Sequence, residues 1–359
     1  MNKEYTSLGL MSGTSGDGVD ASIIKSDGKS KYKLILDRYF KYGQEISNAI
    51  FQTKEKINTS EDLEKFSNEI ELLEEKITIF HANSIKKIVE ENDIDLVGFH
   101  GQTIFHNSKE KISKQLGNGE LLSNLLKKNI IYNFRKKDLE NNGEGAPLTP
   151  IFHKLIINEK KISPPVTVLN LGGIANITSI KSEDKIISLD VGPGNCLIDK
   201  WIKVNSGKNY DSNGKIAQSG KINKIILNLA LENFYDNDLS KNKSYDTKDF
   251  DLSFVRGLSL EDGAATLTDY TSEIISNKIS DNLIFVCGGG RKNKFLLNSI
   301  QKKIKGNIKL IDDIGINGDF VESQAFAYLA IRSYLNLPIS FPETTGCLKP
   351  STGGELAKY

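Results

Sequence analysis

The sequence predicts an α/β fold built from two duplicated units, and three observations carry that expectation. A strand, a glycine-rich turn and a return strand open the chain at Leu8–Met11, Ser12–Gly18 and Val19–Ile24. The same pattern returns at Val166–Asn170, Leu171–Asn176 and Ile177–Ile180. Between such strands lie stretches whose apolar residues recur at steps of three and four, so strand and helix periodicities alternate. With 359 residues the chain has room for two domains of roughly 150 residues each. Ile162-Ser163-Pro164-Pro165 is the natural joint. The expected domains are 1–162 and 163–359, with a tail from about 336 free to pack back on the first.

In chain order, Gly13, Gly16 and Gly18 give the first hairpin its tight turn. A third strand is expected at Tyr32–Tyr39. A long helix or helix pair follows through Leu63, Phe66, Ile70, Leu73, Ile77, Phe80, Ile85 and Ile88, with Ser60 as its cap and Glu61 and Asp62 in its first turn. Ile94–Val97 reads as a short buried strand ending at Gly98-Phe99-His100-Gly101-Gln102-Thr103. A helix at Leu121–Leu126 and a strand at Ile130–Tyr132 lead into Asn133-Phe134-Arg135, and the helix carrying His153 and Leu155 follows Gly145-Ala146-Pro147-Leu148. In the second half, strand Ile186–Asp190 turns through Val191–Asn195 into a helix with Leu197, Ile198 and Trp201. Strand Leu283–Cys287 feeds Gly288-Gly289-Gly290, which is expected to open a helix through Phe295, Leu297 and Ile300; Glu322–Leu335 is the last helix.

Composition removes several classes of function. Lys and Arg total 47 against 46 Asp and Glu, a net charge of +1, so nothing suggests nucleic-acid binding. Cys196, Cys287 and Cys347 are far apart and lack CxxC spacing, which predicts neither a disulfide framework nor a zinc site. No run approaches the roughly 20 apolar residues of a membrane span, and the N-terminus lacks a signal-peptide core. The expectation is a soluble cytoplasmic protein.

Glycine turns with hydroxyls and amides beside them, Ser12, Thr14 and Ser15 in the first and Asn170 and Asn176 in the second, form concavities of backbone N–H groups suited to phosphates. Read structurally, each is only a hairpin turn. No GxxxxGK[ST] is present, and no GxGxxG follows the first strand, so a P-loop and a dinucleotide fingerprint are both excluded. Two units that each offer a hairpin to phosphates follow the logic of the actin, sugar-kinase and Hsp70 superfamily.

The motifs Met11-Ser12-Gly13-Thr14-Ser15-Gly16-Asp17-Gly18-Val19-Asp20, Gly101-Gln102-Thr103, Gly145–Leu148, Asn170–Asn176, Asp190–Asn195 and Cys287–Gly290 stand in that order. Together they closely resemble the anhydro-N-acetylmuramic acid kinase family. The resemblance implies a two-domain actin-like (duplicated ribonuclease H-like) fold with ATP and sugar in the interdomain cleft. It implies an ATP- and Mg²⁺-dependent homodimer of cell-wall (peptidoglycan) recycling and amino-sugar catabolism. Such an enzyme opens the 1,6-anhydro ring with water as it phosphorylates O6, giving N-acetylmuramic acid 6-phosphate and ADP.

Asp190 is expected to end its strand and project a carboxylate that deprotonates the attacking water, the role the resemblance gives it; otherwise it caps the following turn. Gly13, Thr14, Ser15, Gly16, Asp17, Gly18, Val19 and Asp20 are assigned to ATP, with Asn170, Gly172, Gly173 and Asn176 from the second hairpin and Gly288, Gly289 and Gly290 from the third glycine run. Asp17 beside phosphates implies Mg²⁺, held directly or through water; otherwise it is an Asp-Gly turn residue. His100, Gln102 and Thr103 are expected to bond the sugar, Arg135 or Lys137 its lactyl carboxylate, and Glu322 the sugar again. His100 as a structural residue, the two cations as solvated charges and Glu322 as a helix N-terminal charge are the alternatives. The chain departs from the usual family pattern at Asn133 (mostly Asp), Gly16 (mostly Leu or Met) and Glu144 (mostly Gln). A kinase for another anhydrosugar of the levoglucosan type, or a non-catalytic ATP-binding sensor, are the competing functions.

Overall fold

The structure, a computed structural model, describes residues 3–236 and 244–359. In chain order the first unit contains β1 (Tyr5–Ser12), β2 (Gly18–Ser26), β3 (Tyr32–Lys41), α1 (Gln44–Lys56), α2 (Ser60–Lys65), α3 (Ser67–Glu91), β4 (Leu96–Asn107), β5 (Ile112–Leu116), α4 (Gly119–Leu126), β6 (Asn129–Tyr132), α5 (Lys136–Glu140) and α6 (Pro150–Glu159). The second contains β7 (Val166–Leu171), β8 (Ile174–Ser182), β9 (Lys185–Pro193), α7 (Cys196–Ser206), α8 (Lys215–Ser219), α9 (Lys224–Asp236), α10 (Leu260–Ser276), β10 (Leu283–Cys287), α11 (Lys294–Lys303) and β11 (Asn307–Leu310). The chain then returns to the first unit with α12 (Val321–Tyr334), α13 (Pro342–Thr345) and β12 (Glu355–Ala357).

The first sheet has the order β12-β6-β4-β1-β2-β3, with β5 beside β4; the second has β11-β10-β7-β8-β9. In both, the first three strands of the unit are antiparallel, and the fourth lies parallel to the first on its other side. The same order and directions in both halves are the duplication expected from the repeated hairpins, and the architecture is a two-unit α/β fold. Each unit buries its own core. Leu8, Leu10, Val19, Ile23, Val97 and Phe99 meet Ile70, Leu73, Ile77 and Ile85 of α3 in the first. Leu169, Ile177, Ile284 and Val286 meet Trp201, Leu267, Ile274 and Ile275 in the second.

Three expectations are corrected. The strand expected to stop at Val97 runs on to Asn107, because β5 pairs with it from Gln102 to Asn107; His100, Gln102 and Thr103 are therefore strand residues. The long helical stretch is α2 and α3, and its capping residue is Thr59, which forms a capping box with Asp62, not Ser60. The second unit is Ser163–Asp319, and Phe320–Tyr359 belongs to the first with Met1–Ile162. The last helix packs on β1, β2 and β4. Close approach explains the return: a Cβ on Gly9 would collide with Ser323 O and Ala327 N, and one on Gly98 with Phe326 O. Helices α1, α8, α9 and α10 were not expected; α1 buries only Ile50 and Thr53, too few to mark a face.

Candidate active-site residues

In the first unit, the turn between β1 and β2 closes with Gly16 N–H donating to Gly13 O (3.1 Å). Gly16 has φ +62°, a conformation that favours glycine, so this departure from the family pattern suits its backbone. The turn is braced from beneath. Ser12 Oγ donates toward Gln102 Oε1 (2.7 Å) and Gly18 O (3.0 Å), Tyr42 Oη donates to Ser12 Oγ (3.0 Å), and Gln102 Nε2 donates to Gly13 O (3.0 Å). All three side chains are buried. Gln102, expected to bond sugar, thus has both ends of its amide engaged with the turn. Thr14, Ser15 and Asp17 stand exposed at the tip, with Ser15 Oγ donating to Asp17 Oδ1 (2.6 Å). Asp17 O accepts Tyr42 N–H (2.9 Å) and Tyr39 Oη–H (3.0 Å). Burial, then Asp17 and Asp20, push the Tyr39 phenol up to about 12, so it remains a donor. Val19 is a core residue paired with Phe40; its side chain has no route to a nucleotide.

On β4, His100 Nδ1 donates to Gly101 O (2.8 Å), and Nε2 accepts from Arg135 Nη2 (2.9 Å) and Nε (3.3 Å). An acceptor at Nε2 requires the neutral ring with its proton on Nδ1. Burial first, and then the Arg135 charge, lower its pKa to about 3. His100, ring against Phe326 at 4.4 Å, therefore holds Arg135 and moves no proton near neutral pH. Arg135 Nη1 also donates to Gly145 O (2.8 Å). Lys137 is exposed on α5 and Thr103 half-buried, its Oγ1 accepting from Gln115 Nε2 (3.3 Å). Glu322 is half-buried in the first turn of α12. That turn is fastened by Ser323 Oγ at 2.6 Å from Ser22 Oγ, and by Gln324 Nε2 at 3.1 Å from both oxygens of Asp37. Asn133 donates to Glu355 Oε2 (2.7 Å), and Lys136 Nζ to Oε1 (2.6 Å); an Asp at 133 would set two carboxylates against each other.

In the second unit, Asp190 lies inside β9 rather than at its end, opposite Asn176. It is 6% exposed, and its Oδ2 accepts Tyr245 N–H (3.0 Å). Burial and the Asp190 charge in turn push the Tyr245 phenol up to about 12. The turn Gly172-Gly173 is clamped by the segment that leads from the same strand into α7: Gly172 O accepts Asn195 N–H (2.9 Å), and Gly173 O accepts Gly194 N–H (2.9 Å) and Cys196 N–H (3.1 Å). Carboxylate strand and glycine turn are thereby one fixed piece. Asn176 Oδ1 is buried without a hydrogen-bond partner. Asn170 is buried behind the turn against Cys287 and Gly288, a bracing place rather than an exposed one.

Gly288–Gly290 does not open an α-helix. Gly289–Lys292 is a 3₁₀ turn, and α11 is capped by Asn293 Oδ1, which accepts Leu296 N–H (3.0 Å). Arg291 was missed from the sequence. It is 7% exposed and donates to Asp312 (2.8 and 3.1 Å), Asp319 (2.6 Å) and Gly288 O (3.2 Å). Its signal was a lone Arg after the glycines with acidic residues some twenty to thirty positions on, too diffuse to single out.

Asp199, on α7, is a partly buried carboxyl of the same unit. Burial, then the Asp211 charge, raise its pKa to about 7. A folded-state pKa above the unfolded value adds stability at low pH that is lost as pH rises toward and through 7. Asp199→Asn removes that loss. Its melting temperature is expected to exceed the unsubstituted protein's at pH 8, by an equivalent of ~2 kcal/mol since Asp199 is only partly shielded, with the gap closing toward pH 4; thermal melts across that range measure it.

Among the described residues no group of three or more His, Cys, Asp or Glu is placed to hold a metal ion, and no helix is long and apolar enough to cross a membrane. The three cysteines are free thiols. Residues 5–358 match the family described as anhydro-N-acetylmuramic acid kinase. A relative of that name from Pelagibacter ubique is 55% identical, with all of both chains covered. Another from Zymomonas mobilis is 37% identical over 97% of this chain and 98% of its own, and one from Rhizorhabdus wittichii 36% over 97% of each. This chain belongs to the anhydro-N-acetylmuramic acid kinase family. The glycine turns, Asp190 and Arg135 described above thus belong to a member of a kinase family.

Proposed function

We propose that this chain converts 1,6-anhydro-N-acetylmuramic acid, ATP and water into N-acetylmuramic acid 6-phosphate and ADP, as a cytoplasmic homodimer of cell-wall recycling. The observation that carries the reading is Asp190, buried in β9 with one oxygen held by Tyr245 N–H, in a chain related along its full length to enzymes of that name. Nucleotide binding alone does not need a general base.

In the mechanism, Asp190 takes a proton from the water that attacks C1. The C1–O6 bond breaks as the new C1–O bond forms, O6 attacks the γ-phosphorus, and the bond to ADP breaks. Asp190 later releases its proton to solvent. The turns at Gly13–Gly18 and Gly172–Gly173 serve the ATP phosphates, with Thr14 and Ser15 adding hydroxyls, and Gly288–Gly290 serves the adenosine side. With no carboxylate cluster among the described residues, the residues fit Mg²⁺ carried largely by phosphate and water; Asp17 is the side chain that would hold it, directly or through water, and the ion would neutralise phosphate charge. Arg135 meets the lactyl carboxylate, helped by Lys137, while Thr103 and Glu322 bond the sugar. His100 acts through Arg135, and Gln102 through the phosphate turn.

The test is ADP release from Mg·ATP with purified protein and 1,6-anhydro-N-acetylmuramic acid, levoglucosan or N-acetylmuramic acid. Turnover with the first alone is expected. Turnover with levoglucosan instead keeps the mechanism and changes the substrate; ATP binding with no sugar-dependent turnover sinks the kinase reading in favour of a sensor.

A further inference from the structure

Behind Arg135 lies a chain of buried contacts that starts at a residue no mechanism step uses. Asp138, on α5, is 1% exposed. Its Oδ2 accepts Gly145 N–H (2.7 Å), and its Oδ1 accepts Thr345 Oγ–H (2.6 Å). Its own carbonyl accepts Gly143 N–H (2.8 Å). Gly143 has no Cβ because one would collide with the Asp138 carboxylate. The loop 143–145 is therefore wrapped on Asp138. Gly145, at φ +73°, presents its carbonyl to Arg135 Nη1 (2.8 Å), and His100 takes the other side of the guanidinium. From the far side, Glu144 N–H donates to Thr345 O (2.8 Å), so the last residue of α13 closes the loop.

A guanidinium has five donors in a fixed plane, so two acceptors on different edges fix the direction of the remaining face. One acceptor, His100 Nε2, is set by β4. The other, Gly145 O, has no regular secondary structure of its own to place it. Its place comes from the Asp138 carboxylate on the N–H of the same residue.

We infer that Asp138 is a positioning residue for Arg135 and, through it, a determinant of selectivity for a sugar that bears a carboxylate. The inference rests on the proposed kinase reading, in which Arg135 meets that carboxylate. Asp138 touches no reacting atom, so its loss acts on the binding of the acid group and leaves the chemical step alone. Losing the carboxylate frees the loop, lets the guanidinium swing about its bond to His100, and blurs the two-point grip.

The experiment compares 1,6-anhydro-N-acetylmuramic acid with 1,6-anhydro-N-acetylglucosamine, which has the same ring without the lactyl acid. Sugar binding is read by calorimetry, and ADP release gives kcat and the two KM values. Three variants are used: Asp138→Ala, Asp138→Asn, which keeps an oxygen for Gly145 N–H, and Thr345→Val, which removes only the second support. For Asp138→Ala the muramic sugar is expected to bind at least about tenfold more weakly. Its kcat, its KM for ATP and its binding of the glucosamine sugar are expected to stay within about threefold. Asp138→Asn recovers most of the loss, and Thr345→Val shows a smaller shift of the same kind, which serves if Asp138→Ala does not fold. Equal weakening of both sugars, a fall in kcat alone, or no change in muramic binding in folded Asp138→Ala or Thr345→Val overturns the inference. If the unsubstituted protein binds neither sugar, it is the kinase reading that has failed, and the positioning role falls with it.

Discussion

Asp190→Asn is expected to lower kcat for the anhydro-muramic sugar at least about a hundredfold while leaving KM for ATP within a factor of two or three. The amide is nearly isosteric, and its oxygen still accepts Tyr245 N–H, the contact that holds Asp190 at 3.0 Å. The packing around β9 and the clamp between Gly172-Gly173 and residues 194–196 are untouched, so the melting temperature should barely move. What disappears is the ability to accept a proton from water at C1, a contribution of 10²–10⁴ in rate for a well-placed base. A stable variant that binds ATP and does not turn over is the signature of a base removed from an intact site. Unchanged kcat, measured by ADP release under saturating sugar, would move Asp190 out of the chemistry and leave it as a strand residue anchoring Tyr245.

The second large effect is on stability. Gly9→Val is expected to destabilise the first unit by about 3 kcal/mol or more, seen as a lowered midpoint in denaturant melts. Gly9 lies in the middle of β1, flanked by β2 and β4, and any Cβ there meets backbone of α12, Ser323 O and Ala327 N. Backbone cannot rotate away as a side-chain tip would. The helix has to lift, which breaks the contact of Ser323 with Ser22 and of Gln324 with Asp37 and carries Glu322 with it. Gly98 faces the same helix at Phe326 O, so Gly98→Val should behave alike. An unaltered melt in both variants would mean that α12 is less firmly seated than its buried Phe326, Tyr328 and Leu329 imply.

What was readable in the residues follows the range over which a physical cause acts. Hairpins, their glycine turns and α3 were legible because each is specified within a few neighbours: positive φ at Gly16, hydroxyls beside it, apolar residues at three and four. Asp190 was legible as a carboxylate on an apolar strand, although its position short of the strand end was not, since β8 pairs beyond it as far as Pro193. Gln102 and His100 were read as sugar contacts because their partners lie 89 and 35 residues away in sequence; nothing local distinguishes an amide that braces a turn from one that faces a ligand. The extension of β4 was hidden for the same reason, as β5 (ISKQL) has little apolar character of its own. Helix α12 was legible as the last helix, Glu322–Leu335, yet a helix pattern carries no label for the sheet that receives it.

The return of the chain has a consequence for synthesis. The first unit is split by an insertion, with Ser163–Asp319 made between its two parts. A ribosome therefore delivers every strand of the second sheet before it delivers the helix that covers Gly9 and Gly98, or the β12 strand that pairs with β6 at the sheet's end. The inserted unit has all its core residues in hand first and folds first, while β1, β2 and β4 wait with one face uncovered. Loss of the last forty residues would accordingly be felt at the N-terminal strands, leaving the later-made middle of the protein folded and the earliest-made part without its cover.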